Sequence, residues 1–177
     1  MGDSCEPRIY VACLASYNAG RLHGKWIEAS QTADEIREEI DEILRSSPEF
    51  IAEDWAIHDY EGFEGIRISE HENIELIAEF AALVEEQREL IGRLVDHCGG
   101  LNEIEEAKRM LEEDYAGEAD SLEDWAENFL DDTGVLGEVP SSLRYYIDFK
   151  SYGRDAELSG DIFTIEIDSK VHVFWNH

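Results

Sequence analysis

Apolar and polar residues alternate along Arg8–Leu14 (RIYVACL), a stretch rich in β-formers, which predicts a strand. Asn18, Gly20 and Gly24 mark Tyr17–Gly24 as a loop, from which Lys25-Trp26-Ile27-Glu28 returns as a second strand. The period then lengthens. Thr32 and Glu35 have the spacing of a capping box, and Ala33, Ile36, Ile40, Ile43 and Leu44 recur on one side of a helix running to about Arg45, with Pro48 as its stop. Trp55–Tyr60 (WAIHDY) predicts a third strand, closed by the glycines of Glu61–Gly65.

From Asn73 the pattern is helical. Ile77, Phe80, Ala81 and Val84 form one stripe, Leu90, Ile91, Leu94 and Val95 another, and Gly99-Gly100 is a strong stop. Asn102 and Glu105 have the spacing to open a further helix, with Ile104, Ala107, Leu111 and Tyr115 at helical intervals. Ser121 caps the next, Asp124 stands at the reciprocal position, and Leu122, Trp125, Ala126, Phe129 and Leu130 form its apolar stripe. After turns at Gly134, Gly137 and Pro140, Ser141 or Ser142 caps a helix through Tyr145, Tyr146, Ile147 and Phe149, kinked near Gly153 and closing at Gly160. Asp161–Ile167 and Lys170–Trp175 then form a hairpin across Asp168-Ser169.

These elements predict an α+β fold, antiparallel and β-rich at both ends and helical in the middle. The expected divisions are an N-terminal α+β domain at 1–62, a central helical domain at 63–101 and a C-terminal α+β domain at 102–177.

Charge changes the picture. Fourteen Lys and Arg stand against 43 Asp and Glu, a net charge of −29 over 177 residues. With 43% apolar residues and 10% aromatics the chain can still bury a core, so the acidity does not imply disorder. Such a surface repels nucleic acid and anionic membranes and attracts basic grooves. Duplex DNA carries one charge per ~1.7 Å of axis, so this net charge corresponds to about 50 Å of duplex. The alternative is a halophile-adapted or acidic adaptor domain whose charge serves solvation only. The scarcity of lysine (Lys25, Lys108, Lys150, Lys170) suits either reading. Three cysteines without CxxC spacing argue against a disulfide framework and for a reducing cytoplasm, and no apolar run approaches the ~18 residues of a membrane span.

Between Asn102 and Asp132 lie thirteen carboxylates and only two basic residues, Lys108 and Arg109. Asp120, Asp124, Glu127 and Asp131 fall on one helix face, roughly 4.5–6 Å apart along the axis. Like charges at that spacing cost a few tenths of a kcal/mol per pair, so local stability does not explain the row. The residues expected to meet a partner, as stand-ins for DNA phosphates, are Glu103, Glu106, Glu112, Glu113, Asp114, Glu118, Asp120, Glu123, Asp124, Glu127, Asp131 and Asp132.

Catalytic signals are weak. His71-Glu72-Asn73-Ile74-Glu75 lacks the second histidine of a zinc-protease helix, and His97-Cys98 has no matching ligand pair. There is no G-x-S-x-G and no P-loop, and Asp131-Asp132-Thr133-Gly134 lacks the alternating ligands of a calcium loop. Carboxylates are so abundant that any two could be drawn as acid and base, which empties that signal. Cys13, in an apolar strand, reads as a small buried side chain. No enzyme activity, cofactor or metal is expected.

Several blocks together resemble one family. Arg8-Ile9-Tyr10-Val11-Ala12 is followed by Tyr17-Asn18-Ala19-Gly20-Arg21-Leu22-His23-Gly24-Lys25-Trp26, then by Trp55-Ala56-Ile57-His58-Asp59-Tyr60-Glu61-Gly62-Phe63. Arg154-Asp155-Ala156-Glu157-Leu158 precedes Val171-His172-Val173-Phe174 near the end. From about Pro7 to Trp175 the chain resembles the ArdA antirestriction proteins. The resemblance implies an elongated chain of three small modules, acting as a cytoplasmic homodimer and carried by mobile elements, that imitates bent B-form DNA and occupies the DNA-binding groove of type I restriction-modification enzymes. It also implies that Ser121–Thr133, with Tyr115–Asp120 before it, holds the antirestriction motif near the dimer contact. Cys13 departs from the family pattern, which leads one to expect a polar residue there.

Overall fold

The computed structural model describes residues 6–137 and 139–177, and the side chains of 86–88 lie outside that description, as does Cys5. The chain forms two compact units, Met1–Ala107 and Lys108–His177.

In the first unit, β1 (Arg8–Cys13) lies between β2 (Gly24–Glu28) and β3 (Trp55–Glu61) in an antiparallel sheet of order β2-β1-β3. The period-two pattern decides its faces: Ile9 and Val11 are fully buried, while Tyr10, paired with Trp26 across the strands, meets it edge-on at 5.5 Å. Cys13 is buried, as expected of a small apolar side chain. The strand ends one residue before Leu14, because the chain turns into a short helix, α1 (Leu14–Asn18), where the sequence predicts a loop. That turn is held by a polar contact between the Ser16 and Ser47 hydroxyls at 2.9 Å, with Ser16 buried, and such a contact leaves no periodic trace. The capping box forms as expected on α2 (Ala33–Arg45): the Glu35 N–H donates to Thr32 Oγ1, and the Thr32 N–H donates to the Glu35 carboxylate. Ile36, Ile40 and Ile43 form its buried face.

The two apolar stripes after Asn73 belong to one helix of 25 residues, α3 (Ile74–Cys98), capped by Asn73 and ended by Gly99 at φ 116°. The next helix opens later than predicted. Asn102 is no cap, because Leu101–Glu103 forms a 3-10 turn from Gly100 before α4 (Ile104–Arg109) begins.

In the second unit a π turn, Met110–Asp114, ends the helical path, and Tyr115 starts a strand, β4 (Tyr115–Ala119), instead of extending a helical stripe. Three-residue and four-residue apolar spacings persist into Tyr115 by coincidence, but Gly117 at φ 109° breaks any helix there. β4 completes a sheet of order β4-β6-β5 with β5 (Ile162–Ile167) and β6 (Lys170–Trp175). The β5–β6 hairpin turns through Asp168 and Ser169, both at positive φ, as a two-residue connection requires. α5 (Leu122–Asp132) and α7 (Phe149–Ser159) pack on this sheet and on each other, and the short α6 (Ser141–Arg144) lies between them in sequence.

The single kinked helix expected over 141–160 is two helices. Asp148 interrupts it by capping α7, accepting the Ser151 N–H at 2.9 Å and its hydroxyl at 2.8 Å, and Tyr145 and Tyr146 are exposed in the break. Those two hydrogen bonds, the backbone one first, hold the Asp148 carboxyl below its ordinary range. Gly153 is a close approach and no kink: a Cβ there would lie 2.8 Å from the Leu122 carbonyl oxygen. Ala119, Trp125, Ala126, Leu130, Phe149, Ile162 and Val173 form the core of this unit. No described helix is long and apolar enough to cross a membrane.

Replacing Gly153 by Ala forces α5 and α7 apart at their crossing. The expected loss is about 1–3 kcal/mol in urea denaturation, and an unchanged midpoint contradicts the close contact.

Candidate protein-binding surface

Of the expected acidic row, α5 carries Asp124, Glu127 and Asp131, whereas Asp120 precedes the Ser121 cap and is not on the helix. Ser121 caps it, accepting the Asp124 N–H at 3.1 Å, while the Ser121 hydroxyl donates to the Asp124 carboxylate at 2.5 Å. Asp124 thus reaches the hydroxyl and not the backbone N–H of a full capping box. Glu123 and Asp124 in the first turn also favour the positive end of the helix dipole. The apolar face is bound down hard: Trp125, Ala126 and Leu130 are buried, and the Trp125 indole N–H donates to the Ala116 carbonyl of β4 at 3.1 Å. Trp125 and Phe129, one turn apart, stack at 5.2 Å. What faces solvent is therefore decided by the core: Glu123, Asp124, Glu127, Asp131 and Asp132 are all exposed. Among the described residues, the Glu123, Glu127 and Asp132 carboxylates have no ion-pair or hydrogen-bond partner.

The two ends of the row are tethered to cations distant in sequence. Lys170 of β6 donates to Asp120 at 2.5 Å and lies 3.7 Å from Glu118. Arg144 of α6 pairs with Asp131. The hydrogen bond to Asp120 raises the Lys170 pKa, so this pair persists through neutral pH and is lost only as alkaline pH passes the raised value. Beside it, the Tyr115 hydroxyl meets His172 Nδ1 at 2.9 Å, and burial, helped by the charge of Glu118, raises the Tyr115 pKa. Sequence spacing offers no sign of these contacts, since Lys170 lies 50 residues from Asp120. Their only trace is that Arg144 and Lys170 are two of six basic residues in this unit.

The remaining acidic candidates divide sharply. Glu112 and Glu113 are exposed on the π turn, Glu113 lying 3.4 Å from Arg109. Glu103 is exposed and Glu106 half-buried, and both lie in the first unit. Asp114 is different in kind. It is 2% exposed, takes Arg109 Nη1 at 3.0 Å and lies 3.4 Å from His177 Nε2. Its carboxylate is engaged inside the unit, by Arg109 at the end of α4 and by His177, two residues past β6.

The family model for antirestriction protein (ArdA) matches residues 9–170. The chain belongs to the ArdA antirestriction family. No curated protein matches it. Membership supports an antirestriction role against restriction-modification enzymes, and ArdA is not a known enzyme family. The matched span contains the whole of α5 and runs from the second residue of β1 to the first residue of β6.

Asp114 and Glu127 should respond oppositely to neutralisation. Asp114→Ala leaves the Arg109 guanidinium without its buried partner and is expected to cost about 2 kcal/mol in urea denaturation. Glu127→Gln relieves like-charge repulsion and leaves stability unchanged or slightly raised. Equal destabilisation by both would show that Glu127 also has a structural partner.

Proposed function

We propose that this ArdA-family chain is a DNA mimic without catalytic activity that blocks the DNA-binding groove of type I restriction-modification enzymes. The observation that carries the reading is the exposed acidic face of α5. Five carboxylates occupy this helix of 11 residues, which at ~1.5 Å per residue is about one charge per 3.3 Å. One strand of B-DNA carries one per ~3.4 Å. Lys and Arg side chains placed to follow a phosphate backbone therefore meet carboxylates at a matching linear density. The first unit continues the same sign, with 26 acidic residues against eight basic.

On this reading the protein acts as a homodimer in the cytoplasm of a bacterial host, encoded on a mobile element whose DNA it protects, and it does not itself bind nucleic acid. The contributing carboxylates are Glu103, Glu106, Glu112, Glu113, Glu118, Asp120, Glu123, Asp124, Glu127, Asp131 and Asp132. Concentrated charge makes the complex weaken steeply with salt.

Titration against a purified type I enzyme, with cognate DNA as competitor at two salt concentrations, tests this. Neutralising Asp120, Asp124, Glu127 and Asp131 together as Asn or Gln is expected to weaken inhibition by roughly tenfold or more, with a shallower salt dependence. Inhibition untouched by the quadruple variant removes α5 from the interface. A chain that instead unfolds at low salt and inhibits nothing has acidity that serves solvation.

A further inference from the structure

Behind the carboxylate row lies a cavity of about 330 Å³, lined among others by Trp125, Phe129, Tyr152, Trp175 and Asp161. Its aromatic walls are set at steep angles. Trp125 and Phe129 lie 8° from parallel, and Trp175 stands across them at 62° and 60°, with centroids 5.9 and 5.2 Å away. The Trp125 ring is locked by its hydrogen bond to Ala116. The exposed Asp161 carboxylate is steadied by the Ser159 hydroxyl on Oδ2 at 2.7 Å, and its other oxygen has no partner among the described residues. Among those residues no Lys or Arg lines the cavity.

The first unit shows what such a set of groups holds. There the Arg8 guanidinium lies 4.8 Å from the centre of the Trp26 ring, and Glu61 accepts its Nη2–H at 2.7 Å and its Nε–H at 3.0 Å. An indole face and a carboxylate edge together satisfy a planar cation, one through its π-face and the other in its plane. The cavity in the second unit presents the same two ingredients, and the one basic side chain among its lining residues is His177, whose Nε2 lies 3.4 Å from Asp114.

We propose that this cavity is a receptor for the guanidinium of an arginine side chain from a partner protein. Guanidinium fits better than ammonium, because it is planar, weakly hydrated and able to stack while its N–H groups reach a carboxylate. Anions are repelled by a unit with 17 acidic residues against six basic. The site's existence is independent of the proposed function. The identity of the arginine donor rests on it, since a groove built for phosphates is rich in that side chain. A carboxylate row accepts Lys and Arg alike, whereas this cavity distinguishes them.

The test titrates the intact protein with N-acetyl-arginine amide and with N-acetyl-citrulline amide, its neutral isostere, following the four indole N–H signals by NMR. Saturable shifts at Trp125 and Trp175, but not at Trp26 and Trp55, are expected. Affinity should be at least tenfold higher for the arginine compound and about tenfold lower in Asp161→Asn, whose side chain is exposed and outside the core. Equal binding of the citrulline compound overturns the proposal. So does an arginine response that ignores Asp161→Asn, which is diffuse attraction by the acidic surface. If the arginine compound binds as expected while no type I enzyme is inhibited, the functional reading fails and the receptor stands.

Discussion

The burial of the apolar face of α5 is the constraint on which the acidic surface depends. Five carboxylates on 11 residues repel one another, at a few tenths of a kcal/mol per neighbouring pair and about 1 kcal/mol in all. Against this, Trp125 and Leu130 are almost completely removed from water, and each contributes on the order of 1.5–3 kcal/mol. Burial wins by a clear margin. The helix can therefore be acidic on its outer face without help from interspersed lysines. An isolated peptide of this sequence has no such support, since a helix this short is marginal in water even without repulsion.

The same arithmetic explains where the scarce cations are placed. A Lys or Arg inside the row would stabilise the helix locally but would cut its charge density. Arg144 and Lys170 reach the row from α6 and β6 instead, at Asp131 and Asp120, and leave Glu123 and Glu127 uncompensated between them and Asp132 uncompensated just beyond. Exposed ion pairs of this kind add little to stability. Their effect is to limit the freedom of the terminal carboxylates. A display held this way loses less side-chain entropy when a partner binds than one made of freely rotating acids.

Much of the fold was legible from periodicity and caps. The Thr32–Glu35 box, the Ser121 cap, the Gly99 and Gly160 stops and the Asp168-Ser169 hairpin are local devices, each written within a few residues. What sequence reading missed was decided by contacts across the chain. β4 is a strand because β6 offers it an edge, although Ile104, Ala107, Leu111 and Tyr115 keep helical spacing into it. The break between α6 and α7 comes from Asp148, a capping residue hidden within an otherwise plausible helix. The position of the acidic face could be read, since helical spacing sets it once the apolar stripe is known. The inward turn of Asp114 could not, because its partners Arg109 and His177 are brought together only by the π turn and the last strand.

The carboxylates and the aromatic cavity solve different parts of one recognition problem. A row of acids at phosphate density attracts any basic groove, and it does so at long range and in proportion to charge. Attraction of that kind is equally available to nucleic acid, so under the proposed function it gives this protein no advantage over the DNA with which it would compete. An indole–carboxylate pocket is something a phosphate backbone lacks. As proposed, it would act at contact and favour arginine over lysine. A protein that carries both can be steered as DNA is steered and then held by a contact that DNA cannot make. The locked Trp125 ring belongs both to the α5 core and to the cavity wall, so the proposed row and the proposed receptor share one side chain.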